Sequence, residues 1–154
     1  MTQEEKQLLL KDLSARLPYG VKCRFISSKG DIPSTIVNID IDNETVSHKP
    51  EGQSLIYFHF VESGNIKPYL RSMSSMTDEE LKELNDKYGS IAYFFIQEPP
   101  YYYGLQAQHS DIGSIEIGEF SEIYDWLNAH HFDYRGLIEK GLAIEAPEDM
   151  YKIK

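Results

Sequence analysis

Cysteine is nearly absent: the 154 residues include only Cys23. An intramolecular disulfide and a zinc cluster built on cysteines are therefore excluded within this chain. Cys23 lies in the alternating segment VKCRFI. We expect a small buried side chain there rather than a catalytic thiol.

Positive charge is also scarce, since 15 Lys and Arg stand against 25 Asp and Glu, for a formal net charge of −10. Binding to duplex nucleic acid or to an anionic membrane depends on contacts between basic residues and phosphates, so neither partner is expected. The acidity has two explanations. It keeps the protein in solution, or it forms an acidic face that mimics nucleic acid and binds a basic protein. The second explanation requires the acidic residues to cluster on one face.

Long apolar runs are missing too, and none approaches the ~18 residues of a membrane-spanning helix. The first residues, MTQEEKQLLLKDL, alternate in charge and lack the continuous apolar region of a secretory signal peptide. We therefore expect a cytoplasmic protein with no membrane segment.

Sequence signatures of common enzyme classes are not found. The serines of RSMSSMTDEE have neither a GxSxG elbow nor an SxxK spacing. The segment GSIEIG lacks the phosphate-loop pattern and its lysine. The adjacent carboxylates Glu79 and Glu80 stand at a predicted helix start, where they stabilise the helix dipole. The sequence thus favours a protein that is not an enzyme, and it indicates neither a cofactor nor a metal ion.

Among the features that are present, leucines at intervals of three and four residues between 9 and 17 mark the first element. They predict an amphipathic helix over residues 2–16. Thr2 and Glu5 have the spacing of a capping box at its start. The segment LPYG at 17–20 ends the helix, since its proline and glycine disfavour further helical geometry.

Short alternating segments with turn residues between them follow this helix. They predict β-strands at 21–27, 34–41, 45–48 and 55–61. The last segment, LIYFHFV, is the most apolar of the four. Short strands at regular spacing favour a small bent antiparallel sheet or an SH3-like barrel.

Helices dominate the predicted second half of the chain. The predicted elements are a connector at 63–76, a helix at 78–88, a strand at 91–96, an ambiguous segment at 105–118, and helices at 120–131 and 134–140. Thr77 and Glu80 predict a capping box for the first of these helices. Asp133 is predicted to cap the last one.

The predicted fold class is therefore α+β. An N-terminal helix packs on the small sheet or barrel and is followed by a helix, one or two further strands and two short C-terminal helices. We expect a single domain over 1–154, with sub-parts at 1–65 and 66–154. The residues expected in the core are Leu9, Leu13, Phe25, Ile39, Ile56, Phe58, Phe60, Phe94, Ile123, Trp126, Leu127 and Leu137.

The segment AHHFD contains the first candidate site, formed by His130, His131 and Asp133 and called here the polar corner. A helical projection places His130 toward the core and His131 on the flank. Adjacent histidines diverge by about 100° on a helix, so a shared metal ion is disfavoured. We interpret the polar corner as the junction of two helices, while a small hydrolase or metal site there remains an alternative.

A second candidate is the segment PPYYYG, with Tyr101, Tyr102 and Tyr103. Base stacking by tyrosines usually accompanies a basic groove, and no such groove is encoded nearby. The sequence therefore predicts either a stiff loop covering the sheet or a surface for a partner protein. Tyr134 and Arg135 are added as candidate binding residues next to the polar corner.

Three stretches together resemble a known group of proteins: KDLSARLPYGVK at 11–22, IKPYLRSMSSMTDEE at 66–80 and DWLNAHHFDYRGLIEKGLAIEAPEDMYK at 125–152. They are similar to a family of small uncharacterised proteins of gut Bacteroidetes and their phages or mobile elements, whose motifs read KPYLRxMSSMT and WLNAHHFDYRGLIEKGLAxEAP. Relatives have a proline where this chain has Ser72. The resemblance implies a phage or mobile-element context and assigns no catalytic residue.

Three hypotheses about function follow. The first is a non-enzymatic accessory protein of a phage or mobile element that acts by contact with an unknown partner protein. The second is an acidic nucleic-acid mimic that occupies a basic protein. The third is a small hydrolase or metal-binding protein that uses the polar corner. The oligomeric state is open under each of them.

Overall fold

The computed structural model describes residues 1–28, 30–88, 92–97, 102–107 and 117–152, with only the backbone for 27, 88, 92–97, 102–107 and 117–120. Its three helices are α1 (Gln3–Arg16), α2 (Asp78–Tyr88) and α3 (Ile117–Ala129). Its strands are β1 (Lys22–Ser27), β2 (Gly30–Asp40), β3 (Thr45–Pro50), β4 (Tyr57–Phe60), β5 (Lys67–Leu70), β6 (Ala92–Gln97), β7 (Tyr102–Ala107) and β8 (Ile144–Glu145). The predicted α+β class is confirmed.

Helix α1 forms where the leucine spacing predicted it. The Thr2 hydroxyl accepts from the Glu5 N–H at 3.1 Å, and the Glu5 carboxylate accepts from the Thr2 N–H at 2.7 Å. This capping box satisfies two backbone donors that the first turn leaves unpaired. Gly20, with φ of 68°, ends the short 3₁₀ turn that follows the helix.

Six strands form one sheet in the order β4-β3-β2-β1-β5-β8. Neighbours are antiparallel except β5 and β8, which run parallel. Within the described chain no pairing joins β4 to β8, so the sheet is open and the barrel alternative is not adopted. Strands β6 and β7 form a separate antiparallel hairpin.

The sequence pattern did not predict strands β5 and β8. β5 lies inside the predicted connector, with Pro68 opposite Cys23 of β1. A proline is rare in a central strand, so local pattern argued against this strand. β8 has only two residues, which is too short for any alternation to appear.

Two groups of buried apolar side chains form the interior. The first joins α1 to the sheet and to the C-terminal segment, and includes Leu9, Leu13, Val21, Ile36 and Leu137. The second joins α2, α3 and the 3₁₀ turn Met73–Ser75, and is listed as Met73, Met76, Leu84, Ile123, Trp126, Leu127 and Phe132. The predicted core positions Leu9, Leu13, Ile123, Trp126, Leu127 and Leu137 are buried.

The core prediction is wrong for Ile56, Phe58 and Phe60, which are exposed. Strand β4 is an edge strand, and nothing in the described structure covers the face of β4 that carries Phe58 and Phe60. Phe25 and Ile39 are only half-buried, and the side chain of Phe94 lies outside the described residues.

The predicted second C-terminal helix is also wrong, because residues 134–140 form turns. Gly136 has φ of 72°, which breaks right-handed helical geometry. The helix predicted over 120–131 begins earlier and ends at Ala129.

Candidate functional site

The end of α3 meets the end of β5 at the polar corner. Beyond Ala129, His131 has a left-handed backbone with φ of 60°. The Arg71 N–H then donates to His131 O, and the Asp133 N–H donates to Arg71 O, both at 2.8 Å. A parallel β-bridge between Arg71 and Phe132 results. Backbone bonds therefore hold the corner against the sheet.

The carboxylate of Asp133 closes the turn that follows. Its two oxygens accept from the N–H groups of Leu137 and Ile138, each at 2.8 Å. Both oxygens are therefore engaged by backbone donors. In this conformation Asp133 has a structural role and does not form an acid–base pair with either histidine of the corner.

A buried ion cluster ties α1 to the corner. Arg16 donates to both carboxylate oxygens of Asp12 at 2.7 and 3.0 Å, and to Phe132 O at 2.7 Å. Arg135 lies 3.2 Å from the same carboxylate. Asp12 and Arg16 have no exposed side-chain surface. A charge pair in such a place needs its partners, because an unpaired buried charge is strongly destabilising.

Tyr134 and Arg135, predicted as binding residues, take part in this intramolecular network. The guanidinium groups of Arg16 and Arg135 lie over the Tyr134 ring, 5.6 and 4.8 Å from its centroid. The Tyr134 hydroxyl donates to Asn128 at 3.0 Å. Both predicted residues are half-buried. A binding role for them stays a prediction.

His131 is the buried histidine of the pair, with 5% of its surface exposed. The helical projection had placed His130 inward instead. It failed because the chain leaves helical geometry after Ala129. Burial first, and then the charges of Arg16 and His130, lower the pKa of His131 to about 3. The imidazole is therefore neutral near pH 7.

The His131 ring stacks on Tyr151 with 3.8 Å between ring centroids. The nearby backbone of Tyr19 acts in the opposite direction from burial and raises the pKa of His131. Its Nδ1 atom is buried and has no hydrogen-bond partner among the described residues.

His130 is half-buried and its ring stacks on Trp126 at 3.8 Å. Its Nδ1 lies 2.8 Å from Trp126 O, so that atom donates to the carbonyl. The Trp126 Nε1–H donates to Glu83 at 3.2 Å. The rings of the two histidines thus stack on different aromatic rings, and their side chains point in different directions.

The Arg71 side chain is held by an ion pair and by an aromatic ring. It makes two hydrogen bonds to Glu80, at 2.6 and 2.8 Å, and lies over the Phe132 ring at 4.2 Å. Burial would raise the pKa of Glu80, but hydrogen bonds from Arg71 and from the Thr77 N–H outweigh it and lower that pKa. Glu80 is therefore ionised near pH 7, and the ion pair is bidentate.

These side chains surround a cavity of ≈ 910 Å³, called here the corner cleft. It is lined by the turn at 19–20, the segment 71–77, the start of α2, the end of α3 and the segment 145–152. Glu83 is the one lining residue outside the three stretches that carry the family resemblance. Those stretches, distant in sequence, therefore meet at one cavity.

A second surface is the outer edge of β4 with the adjoining Leu55 and Ile56, called here the β4 edge. Phe58 is 67% exposed and Phe60 56% exposed, and their rings contact each other edge to face at 6.5 Å. Leu55 and Ile56 are exposed as well. Large apolar side chains grouped in this way are typical of contact surfaces.

The inner face of the same strands holds a cluster that was not foreseen, since the histidines looked isolated in sequence. Phe25, His48, Tyr57 and His59 pack with ring centroids 4.9 to 6.1 Å apart. Burial, and then the nearby His59, lower the pKa of His48 to about 4. The available sequence signal was the alternation of side chains along the strands that contain HKP and YFHF. This alternation places His48 and His59 on one face of the sheet.

The tyrosines of PPYYYG are only partly described. Tyr101 lies outside the described residues. Tyr102 and Tyr103 belong to β7, opposite Gln97 and Ile96, so they are not in a loop as predicted. A strand begins there because the two apolar segments pair as a hairpin. Their role in partner binding stays a prediction.

Over the described ranges, no three His, Cys, Asp or Glu side chains are placed to hold a metal ion. None of the helices there is both long and apolar enough to cross a membrane. No protein-family model matches the chain, and no curated protein or solved structure is significantly similar to it.

Proposed function

We propose that this protein acts through protein–protein contact and that the β4 edge is its contact surface. The observation that supports the proposal is the exposure of Phe58 and Phe60 on an edge strand. Burying two such rings contributes several kcal/mol to a complex, at roughly 25 cal/mol per Å² of apolar surface.

The backbone of β4 supports a specific mode of contact. The Val61 N–H donates to Glu44 O at 2.9 Å, which sets the phase of the antiparallel ladder with β3. Bonded pairs alternate along such a ladder, so the N–H and C=O of Phe58 point away from β3. An extended segment of a partner can pair with these groups and add a strand to the sheet.

The charge of the chain selects the kind of partner. Residues 52–61 contain no Asp, Glu, Lys or Arg, within a chain of net charge −10. A second acidic copy would be repelled, whereas a neutral or basic partner would not. We therefore expect an extended, apolar segment of a different protein rather than another copy of this chain.

The biological setting is part of the proposal and depends on the family resemblance. It would make the protein an accessory factor of a phage or mobile element that binds a cytoplasmic protein of its host. The acidic-mimic hypothesis remains separate, since it needs charge contacts where the β4 edge offers apolar ones.

The test compares capture of host proteins by tagged wild type and by a Phe58→Lys/Phe60→Lys double variant. Ile26→Lys is the control, because Ile26 is 57% exposed and lies on β1, three strands away. We expect a stoichiometric partner that the double variant loses and the control keeps. Hydrogen exchange should then show protection of the Phe58 amide in the complex.

Salt separates the two contact hypotheses. Apolar contact should persist at high salt, whereas an acidic mimic should release its partner as charges are screened. Equal capture by the double variant and the control would refute the β4 edge as the contact surface. Light scattering that finds a stable dimer would reassign the edge to a second copy.

A further inference from the structure

Strand β4 is attached to the sheet along one side only. Within the described chain it pairs with β3 and with no other strand. The bond from the Val61 N–H to Glu44 O sets the phase of this ladder, so the N–H groups of Tyr57 and His59 point toward β3. Residues 51–56 before the strand form turns and irregular chain, whereas Val61 after it is fully buried. β4 can therefore separate from β3 while the chain that follows stays anchored.

Two histidine rings lie at the junction of these strands. His48 of β3 and His59 of β4 have ring centroids 5.1 Å apart and ring planes inclined by 18°. They occupy diagonal positions of the ladder, since His48 is opposite Tyr57 and His59 is opposite Val46. The Phe25 ring packs on His48 at 4.9 Å. The inner side of the junction is thus formed largely by aromatic rings.

His48 lies where a positive charge would be costly. It is fully buried, and neither of its ring nitrogens has a hydrogen-bond partner among the described residues. The Nε2 atom of His59 is likewise buried and unpaired there. A protonated imidazole carries two N–H donors, so proton uptake would bring a charge and a further unpaired donor into this site. Two protonated rings at this separation would also repel each other.

The surroundings provide no free counter-charge among the described residues. The ionisable groups on the same face of the sheet or packed against it are Cys23 of β1, Tyr57 of β4, Lys6 of α1, Glu44 before β3 and Glu62 after β4. The Lys6 ammonium binds both glutamates, at 2.7 and 3.3 Å, so these three charges are already paired. Burial raises the pKa of the Cys23 thiol to about 12, which keeps it neutral. Strand β2 places the apolar Ile36 opposite His48.

We propose that His48 and His59 form a pH-sensitive latch that holds β4 on β3. While both rings are neutral, they pack at the junction and β4 stays in the sheet. Proton uptake by the pair on acidification separates the rings and releases β4. The latch would thereby regulate the β4 edge, which exists only while β4 is paired. This regulatory consequence rests on the proposed function, whereas the release of β4 does not.

The size of the effect follows from the pKa of His48. With β4 in place that pKa is about 4, and it returns toward the ordinary value of 6.5 when β4 separates. The paired state is therefore favoured above about pH 6.5 and loses this advantage as the pH falls toward 4. From about pH 7.5 to about pH 5, the ratio of released to paired β4 should rise roughly 30-fold through His48 alone. His59, whose pKa burial also lowers, adds to this rise.

Amide hydrogen exchange, followed residue by residue by NMR, measures the release in the free chain. The Tyr57 and His59 amides report on β4. The Ile36 amide, which donates to Val21 O at 3.0 Å, reports on the rest of the sheet. We expect the two β4 amides to be less protected than Ile36 at about pH 5, and to exchange independently of low urea concentrations, because a local opening exposes little surface. Equal protection and equal urea dependence of all three amides would overturn the latch, since β4 would then leave only by global unfolding.

His48→Gln tests the role of protonation, with His130→Gln as the matched control, because His130 lies at the end of α3 and stacks on Trp126. We expect the first variant to lose most of the roughly 30-fold dependence of β4 exchange on pH, and the control to keep it. His59→Gln changes a half-buried residue and provides a second variant if His48→Gln does not fold. It should reduce the dependence as well. An unchanged dependence in either variant of the pair would contradict the proposal.

Capture of a partner at about pH 7.5 and about pH 5 separates the latch from the proposed function, because exchange in the free chain needs no partner. Release of β4 by acid, with equal capture by wild type and the Phe58→Lys/Phe60→Lys variant, would leave the latch standing and remove the contact surface. Capture that depends on these phenylalanines, with β4 exchange that does not depend on pH, would remove the latch and leave the contact surface.

Discussion

The β4 edge and the polar corner place their phenylalanines in opposite surroundings. Phe58 projects from an edge strand into solvent, whereas Phe132 is fully buried between the Arg71 guanidinium and the second apolar cluster. The segment around Phe58, LIYFHFV, is mostly apolar, whereas Phe132 lies between His131 and Asp133. Covering elements, rather than the hydrophobicity of the segment, decide which ring is buried.

The polar corner can be buried because its polar groups have partners. Asp133 accepts two backbone N–H groups, and Asp12 is shared by two arginines. Desolvation of such groups is costly only when partners are missing. The exceptions are Arg16 Nη1, Arg135 Nε and His131 Nδ1, which are buried without a hydrogen-bond partner among the described residues.

A phenylalanine-to-alanine substitution made once in each region should give the largest difference in the free energy of unfolding. Phe132→Ala should lower the free energy of unfolding by about 3–5 kcal/mol, because it leaves a cavity among packed rings. Phe58→Ala should change it by less than about 1 kcal/mol, since the ring is largely in solvent. Urea unfolding of both variants measures the difference. Similar losses would mean that the β4 edge is covered in solution.

Acidification should have the next largest effect, because it lowers the free energy of unfolding through the buried histidines. The pKa values of His131, about 3, and His48, about 4, lie below the unfolded value of 6.5. The folded state therefore favours their neutral forms. The contribution of these neutral histidines to the free energy of unfolding is complete above about pH 6.5. It is lost as the pH falls toward their pKa values in the folded state, by at most about 1.4 kcal/mol per pH unit for each histidine.

Urea midpoints from about pH 7.5 to about pH 5 measure this slope, because most carboxyl groups titrate below that window. His48→Gln is the comparison variant, and its slope should be smaller by one bound proton. A stability that stays flat over the window would show that neither histidine is held neutral.

Removing single tyrosine hydroxyls should give the smallest difference in stability between a buried and an exposed position. Tyr151→Phe removes a group that bridges β5 to the start of β1, and should cost about 1–2 kcal/mol because two backbone groups lose a partner. Tyr124→Phe, on the exposed face of α3, should stay within about 0.5 kcal/mol. Thermal melts are sufficient to rank the two. An equal response would mean that water replaces the Tyr151 hydroxyl without loss.

The candidate sites were only partly accessible from sequence. His130, His131 and Asp133 were identified as a polar corner, and the structure does place them together at the end of α3. Their partners were not identified, since Arg71 is about sixty residues away in sequence and is brought there by β5. The β4 edge was mistaken for core, because an apolar alternating segment reads the same in a central strand and in an edge strand.

Local interactions are what the sequence by itself determined. The capping boxes of α1 and α2, the leucine spacing of α1 and the alternation of β1 to β4 depend on residues at most four positions apart, and each element formed. Tertiary structure alone decided that β5 pairs with β1 and β8, that β4 stands at the edge, and that His131 turns inward. These outcomes depend on pairings between distant segments, whose energies no local pattern contains.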